Sequence, residues 1–197
     1  MTIRLGILGI GSMGRHHVRN ARATAGVDLV ALADPGGDRF GVAGDLPVLG
    51  GVKELIEAGI DAAIVAAPTA HHEAAALALA EAGVHTLVEK PLATSVEAGR
   101  RIRDAFASAG LVGAVGYVER CNPALIDMRR RIAEGQLGEI EQIATRRQSP
   151  FPARISDVGV VKDLATHDVD LAAWVAGAPY ESIYARTSAR SGRVHED

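Results

Sequence analysis

The first fourteen residues carry the pattern that most constrains the fold of this chain. A short apolar run, Ile3–Leu8, leads into Gly9-Ile10-Gly11-Ser12-Met13-Gly14, and a helical pattern follows over Ser12–Ala25. In such a strand–turn–helix unit the first glycine forms the turn, the second leaves room for a pyrophosphate, and the third lets the helix pack closely on the strand. The helix N-terminus then offers free N–H groups to the phosphates. The pattern predicts a dinucleotide-binding turn.

An acidic residue farther along the chain strengthens this prediction. Asp34 lies twenty positions after Gly14 (34 minus 14) and ends a second apolar run, Val27–Ala33. A carboxylate there can hydrogen-bond the ribose hydroxyls of NAD, whereas the 2′-phosphate of NADP would meet a like charge. We therefore expect NAD rather than NADP. The alternative is an ordinary strand–helix turn with a helix-capping aspartate.

Strand and helix patterns alternate through residues 1–117, which is typical of a doubly wound parallel sheet with helices on both faces. This α/β pattern predicts a Rossmann dinucleotide-binding domain. The further strands expected are Pro47–Leu49, Asp61–Ala67, Val84–Val88 and Leu111–Tyr117, and the further helices are Gly51–Ala58, Ala70–Ala82 and Thr94–Ala109. Asp34–Leu46 is expected to be a loop, because each interior glycine costs a helix about 1 kcal/mol.

The alternation stops after residue 117, so we place a domain boundary near Gly116–Val118, with a second domain over residues 118–197. There the sequence predicts helices over Asn122–Glu134 and Val160–Ala176, half-buried strands over Gly138–Gln148 and Glu181–Ala189, and a loop over Ser149–Val158.

Lysine is scarce in this chain, which draws attention to one motif. Of 21 basic residues only Lys53, Lys90 and Lys162 are lysines, and lysine, unlike arginine, can release its proton in a suitable site. Lys90 stands in Glu89-Lys90-Pro91, at the carboxyl end of a predicted strand and at the same sheet edge as the glycine turn. We expect it where the nicotinamide of the cofactor would lie; an exposed Lys-Pro turn is the alternative.

A second constellation lies in the predicted helix near the C-terminus. Asp163 and His167 are four residues apart, so they share a helix face, and a histidine steered by a carboxylate is a suitable acid or base near neutral pH. A surface ion pair is one alternative. A metal site, with Asp170 as a third ligand, is another, but its signal is too weak and no metal is expected.

Composition excludes several classes of function. A net charge of −3 gives no basic surface for nucleic acid. Cys121 is the only cysteine, so no intrachain disulfide is possible. The sequence shows neither a signal peptide nor an apolar membrane span. We expect a cytoplasmic protein that contacts neither nucleic acid nor membrane.

Together these motifs resemble the Gfo/Idh/MocA family of NAD(P)-dependent sugar and polyol oxidoreductases. The resemblance rests on GIGSMG, Asp34, APTAHH, VEKP, GYVERCNP and the D-x-x-x-H of DLATHD. GYVERCNP and the stretch from Arg146 to Leu171 further resemble family members that oxidise UDP-linked N-acetylhexosamines at C3.

The resemblance implies roles for individual residues. Lys90 would bind the reacting hydroxyl, and His167, with Asp163, would act as the acid or base, although some members use the lysine as the base. The residues implied to contact the cofactor are Gly9, Ile10, Gly11, Ser12, Met13, Gly14, Asp34, Thr69, His72, Glu89 and Lys90. Those implied to face the substrate are Tyr117, Arg120, Asn122 and Arg154, with Arg146 and Arg154 as candidates for a diphosphate. A cis peptide before Pro91 is also implied.

The family pattern implies a second domain of α+β type with a large, mainly antiparallel sheet. This chain holds about half of such a domain, so we expect it to be truncated, with a homo-oligomer through that sheet as the implied assembly. A non-catalytic NAD-binding sensor on the same fold and a dehydrogenase of a free polyol such as inositol are the alternatives to a sugar dehydrogenase.

Overall fold

The computed structural model describes residues 2–148, 159–190 and 195–196. The chain divides into two compact units, Met1–Gly116 and Tyr117–Asp197. No helix within these described stretches is long and apolar enough to cross a membrane.

The first unit is built on six parallel strands in the order β3-β2-β1-β4-β5-β6. This is the strand order of a Rossmann fold. The order in which the chain adds strands reverses between β1 and β4, while all strands stay parallel. The strands are β1 (Ile3–Leu8), β2 (Val27–Ala33), β3 (Val48–Leu49), β4 (Ala62–Val65), β5 (His85–Glu89) and β6 (Gly113–Gly116). The helices are α1 (Gly14–Ala23), α2 (Val52–Glu57), α3 (His72–Glu81) and α4 (Val96–Ser108), with a 3₁₀ turn over Thr69–His71. The predicted α/β fold of this unit is confirmed.

Helices cover both faces of the sheet. Because successive strand residues point to opposite sides, the strands contribute side chains to a core on each face. On one face Ile7 and Leu32 are fully buried and pack with Val18 of α1. On the other, residues of β4 and β5 pack with the apolar faces of α2, α3 and α4, including Leu55 and Leu79. Ser95 caps α4 by accepting a hydrogen bond from the Ala98 amide at 3.1 Å.

The glycine-rich segment after β2 contains no helix, as expected, and side chains hold it in shape. The Asp38 carboxylate accepts hydrogen bonds from the amides of Val42 and Ala43 at 3.0 and 2.7 Å. These two bonds, that of Ala43 foremost, lower the pKa of Asp38. Arg22 of α1 donates to the Ala43 carbonyl at 2.6 Å, which ties the loop to the helix after the glycine turn.

The second unit contains two helices in its described part. A short 3₁₀ turn, Val118–Cys121, precedes α5 (Pro123–Ala133), where the Asn122 side chain caps the first turn by accepting from the Ala124 amide at 3.1 Å. The predicted helix over Val160–Ala176 forms as a π-helical turn, Val161–Ala165, followed by α6 (Thr166–Ala176), which ends at Gly177 with φ of +66°.

The two strands predicted for the second unit are wrong. Residues 138–148 and 181–189 form no strand, and their apolar side chains are exposed, up to 76% for Ile183 and 91% for Tyr184. A strand needs a hydrogen-bonded neighbour, and even an isolated pair of strands is marginally stable in water. The antiparallel sheet expected for this unit is therefore absent from its described residues. The predicted loop over 149–158 lies outside them.

Candidate active site

The glycine turn has the geometry that a dinucleotide requires. Gly9 has φ of +86°, and a Cβ there would lie 2.6 Å from the Ala67 amide nitrogen. A Cβ on Gly14 would overlap the Gly9 carbonyl oxygen. At Gly11, by contrast, a Cβ would have no described atom within 4 Å. Two glycines thus permit close packing inside the protein, while the middle one leaves open space on the ligand side.

Helix α1 begins directly behind this turn. Its N-cap, Met13, makes no side-chain capping hydrogen bond, and the helix dipole places a partial positive charge at this end that attracts phosphate. Ser12 and Met13 are exposed, whereas the Ile10 side chain is 1% exposed and packs into the core. The side chain of Ile10 is therefore not exposed to a cofactor.

Asp34 lies at the carboxyl end of β2, next to the glycine turn. One carboxylate oxygen accepts a hydrogen bond from the Ile10 amide at 3.0 Å, and the other accepts from the Gly36 amide at 2.7 Å. The side chain is half-buried, and each oxygen retains a lone pair for a further donor. The two amides thereby fix the orientation of the carboxylate at the carboxyl edge of the sheet.

The Glu89-Lys90-Pro91 motif follows β5 at the same edge of the sheet. Glu89 is 5% exposed. One oxygen of its carboxylate lies 2.6 Å from His17 Nε2, and the other accepts a hydrogen bond from the Lys90 amide at 3.2 Å. Lys90 is half-buried. The Lys90–Pro91 peptide is cis, as the family resemblance implied.

Two residues expected to line the cofactor site are buried. His72 is 1% exposed, with Nδ1 at 3.0 Å from the Pro91 carbonyl oxygen and Nε2 at 2.8 Å from that of Ala67. Thr69 is 9% exposed. Both His72 nitrogens thus contact backbone carbonyls, and its expected contact with the cofactor stays a prediction. The ring joins the loop after β4 to the segment after β5.

The second constellation lies in the second unit. Asp163 stands in the π-helical turn and His167 in the first turn of α6, and both are half-buried. A π-helical turn inside a helix is rare and often occurs at functional sites. Fewer than three metal-ligating side chains come together anywhere in the described part of the chain.

Three of the residues expected to face the substrate lie just after residue 116. Arg120 binds Asp170 of α6 through two hydrogen bonds, one of them 2.7 Å long, and its guanidinium carbon lies 5.6 Å from the centre of the Tyr117 ring. Burial, and next the Asp170 charge, raise the pKa of the Tyr117 phenol. Asn122 is occupied as the cap of α5. Arg154 lies outside the described residues.

Asp168 and Asp170 of α6 pair with arginines, a role that was not predicted from the sequence. Arg147 contacts both carboxylate oxygens of Asp168, at 3.0 and 3.2 Å, and Arg120 holds Asp170 in the same way. Asp168 and Asp170 both follow His167 in Thr166-His167-Asp168-Val169-Asp170, so the two acids just after the histidine were the available signal. The Asp168 carboxylate is the main cause that raises the pKa of Arg147, and Asp170 does the same for Arg120.

This strand order and these motifs define a Rossmann fold of the NAD-binding type. Residues 3–117 match the family model described as "Oxidoreductase family, NAD-binding Rossmann fold" of the Gfo/Idh/MocA type, and residues 125–197 match the Gfo/Idh/MocA C-terminal domain. The chain belongs to the Gfo/Idh/MocA family, which confirms the resemblance read from its motifs.

Characterised relatives are similar over nearly the whole chain. Inositol 2-dehydrogenase 2 of Saccharopolyspora erythraea is 31% identical, covering 100% of this chain and 60% of the relative. UDP-N-acetylglucosamine 3-dehydrogenase of Acidithiobacillus ferrooxidans is 31% identical, covering 89% and 55%. The solved structure of the latter, GnnA, superposes with a TM-score of 0.78 over 90% of this chain and 57% of that one. The chain thus spans little more than half the length of these relatives.

Proposed function

We propose that this protein oxidises a secondary ring hydroxyl of a sugar or polyol with NAD as the hydride acceptor. The observation that carries the proposal is the contact between His17 of α1 and Glu89, because it brings the dinucleotide helix against the segment that bears Lys90. A cofactor bound along α1 would then have its reactive end near a lysine ammonium.

The residues present fit NAD. The open space at Gly11 accommodates a pyrophosphate, the partial positive charge at the N-terminus of α1 would attract it, and the oriented Asp34 carboxylate suits an unphosphorylated ribose. When bound, NAD supplies the acceptor for the hydride that leaves the hydroxyl-bearing carbon.

Side chains of this protein would remove the proton of the substrate hydroxyl. Lys90 Nζ would donate a hydrogen bond to the substrate hydroxyl oxygen and favour its deprotonated form. A ring nitrogen of His167 would accept the hydroxyl proton, and Asp163 would orient that ring and stabilise its cation. Arg120 and Arg147, fixed to Asp170 and Asp168, would hold the start of α6 and thereby the orientation of His167.

The substrate we propose is a UDP-linked N-acetylhexosamine oxidised at C3. One support is the similarity to UDP-N-acetylglucosamine 3-dehydrogenase. The other is that arginines, which outnumber lysines in this chain and of which Arg146 is exposed, suit a diphosphate. An inositol is the second candidate, because an inositol 2-dehydrogenase is 31% identical over 100% of this chain. Free UDP separates the two: it should inhibit a nucleotide-sugar dehydrogenase competitively and leave an inositol dehydrogenase unaffected.

The test is NAD reduction, followed by absorbance, with UDP-N-acetylglucosamine, myo-inositol and scyllo-inositol. Lys90→Met should lower kcat by about 10²- to 10⁴-fold while the Kd for NAD stays within about twofold, since the lysine acts on the hydroxyl. Lys53→Met is the matched control, because Lys53 is an exposed lysine of α2 with a side chain 83% exposed, and it should leave both constants unchanged.

Two outcomes would count against the proposal. Full turnover by Lys90→Met would reject the role of the lysine. Tight NAD binding with no turnover of any of the three substrates would favour a protein that binds NAD without catalysis.

A further inference from the structure

A buried polar pair joins the cofactor helix to the proposed catalytic lysine. His17 Nε2 lies 2.6 Å from Glu89 Oε1, and the two side chains are 17% and 7% exposed. The distance is at the short end for a nitrogen–oxygen hydrogen bond, as expected when a carboxylate accepts. With so little water around it, this pair costs free energy to break.

The other carboxylate oxygen of Glu89 is also occupied, and by the next residue in the chain. Glu89 Oε2 accepts a hydrogen bond from the Lys90 amide at 3.2 Å. One carboxylate therefore bridges the imidazole of α1 and the backbone of Lys90. Any rotation of the Glu89 side chain would release both partners.

The end of β6 provides the space that the Glu89 carboxylate occupies. A Cβ on Gly116 would lie 2.9 Å from three atoms of the Glu89 carboxyl group, namely Cδ and both oxygens. The absence of a side chain at Gly116, the residue paired with Glu89 in the sheet, makes room for the carboxylate. His17 and the Lys90 amide thus orient the carboxylate, and Gly116 of β6 leaves room for it.

We propose that His17 is a positioning residue that fixes Lys90 through Glu89 and so couples the helix facing the cofactor phosphates to the lysine. The inference rests on the proposed role of Lys90. His17 does not contact the reacting atoms in this scheme. It keeps the Glu89 carboxylate turned toward the Lys90 amide, which sets the direction in which the lysine leaves the backbone.

The scarcity of lysine allows a test that needs no substrate. With only Lys53, Lys90 and Lys162 in the chain, limited amine acetylation followed by peptide mass spectrometry gives the labelling rate of Lys90 relative to the exposed Lys53 in one sample. His17→Leu removes the donor, and His17→Gln retains an N–H close to the position of Nε2. His16→Leu is the matched control, since His16 is the adjacent histidine of the same helix.

The expected results are specific. In His17→Leu the Lys90-to-Lys53 labelling ratio rises at least fivefold, because Lys90 loses its fixed, half-buried position, while the Kd for NAD changes by less than threefold. His17→Gln and His16→Leu keep the ratio within twofold of the wild type. Where a substrate is turned over, His17→Leu lowers kcat at least tenfold without raising KM in proportion.

An unchanged labelling ratio in His17→Leu would overturn the inference, whatever the turnover. If His17→Leu fails to fold, Glu89→Gln, which keeps the shape but weakens the acceptor, must raise the ratio instead. The two proposals can be rejected separately. Absence of any dehydrogenase activity in the wild type rejects the proposed function. The labelling ratio alone decides the role of His17.

Discussion

The three glycines of the turn should separate protein stability from cofactor binding when each is changed to alanine. Gly9→Ala and Gly14→Ala place a methyl group against backbone atoms, whereas Gly11→Ala places it in open space on the side from which a pyrophosphate would approach. The first two variants should therefore lose stability. The third should fold normally and bind NAD poorly.

The magnitudes follow from the contacts. Gly9→Ala combines a positive φ, which costs about 1–2 kcal/mol in an L-residue, with a contact of 2.6 Å to the Ala67 nitrogen, which adds about 1–3 kcal/mol. Gly14→Ala overlaps the Gly9 carbonyl, at a similar cost of about 1–3 kcal/mol. Gly11→Ala should change the free energy of unfolding by less than about 0.5 kcal/mol and weaken NAD binding at least tenfold, or about 1.4 kcal/mol.

Urea unfolding gives the stabilities, and calorimetric titration with NAD gives the affinities. Gly26→Ala is the control for backbone strain alone, because Gly26 has φ of +79° and a Cβ there would meet no described atom within 4 Å. Its loss of stability should stay below that of Gly9→Ala. A Gly11→Ala variant that binds NAD within twofold of the wild type, or unfolds as easily as Gly14→Ala, would refute the assignment of the open side to the cofactor.

Two further variants test the electrostatics of the two units. Burial and Asp170 raise the pKa of Tyr117, so the folded state disfavours the phenolate and loses stability as the pH rises past about 10, the ordinary tyrosine value. Tyr117→Phe should remove that part of the loss in unfolding free energy at alkaline pH. Equal losses in the variant and the wild type would contradict this expectation. Asp34→Asn keeps an acceptor for the Ile10 amide but removes the charge, so the ratio of NADP to NAD affinity should rise about tenfold, or about 1.4 kcal/mol, and an unchanged ratio would exclude Asp34 as the discriminating charge.

The sequence was a good guide to the first unit because local signals and tertiary packing agree there. Apolar runs such as Val27–Ala33 are long enough to be strands buried on both faces, and glycines or prolines punctuate them. The element boundaries differ by only a few residues, as between the predicted helix Ser12–Ala25 and the observed Gly14–Ala23. The turn residues proposed to bind the cofactor lie where strands end, so their placement follows from the strand assignments.

The second unit shows where a local pattern is insufficient. The alternation in Ile140-Glu141-Gln142-Ile143 favours a strand, but a strand is stabilised by neighbours that lie elsewhere in the chain or on another chain. In the described part of this unit such neighbours are absent, and Ile140 and Ile143 are each 38% exposed. Helices α5 and α6 satisfy their own backbone hydrogen bonds, which is why their prediction succeeded.

The contacts that organise the candidate site were the least predictable, because they join polar residues far apart in sequence. His17 and Glu89 are separated by 72 positions, and His72 reaches Pro91 across 19. A histidine on a predicted helix is ordinarily assigned to the surface, and only the fold shows that these two are turned inward against the same short segment. Burying His72 and Glu89, at 1% and 5% exposure, is costly unless their hydrogen bonds are made. These buried hydrogen bonds orient the segment that follows β5, and that segment carries Lys90.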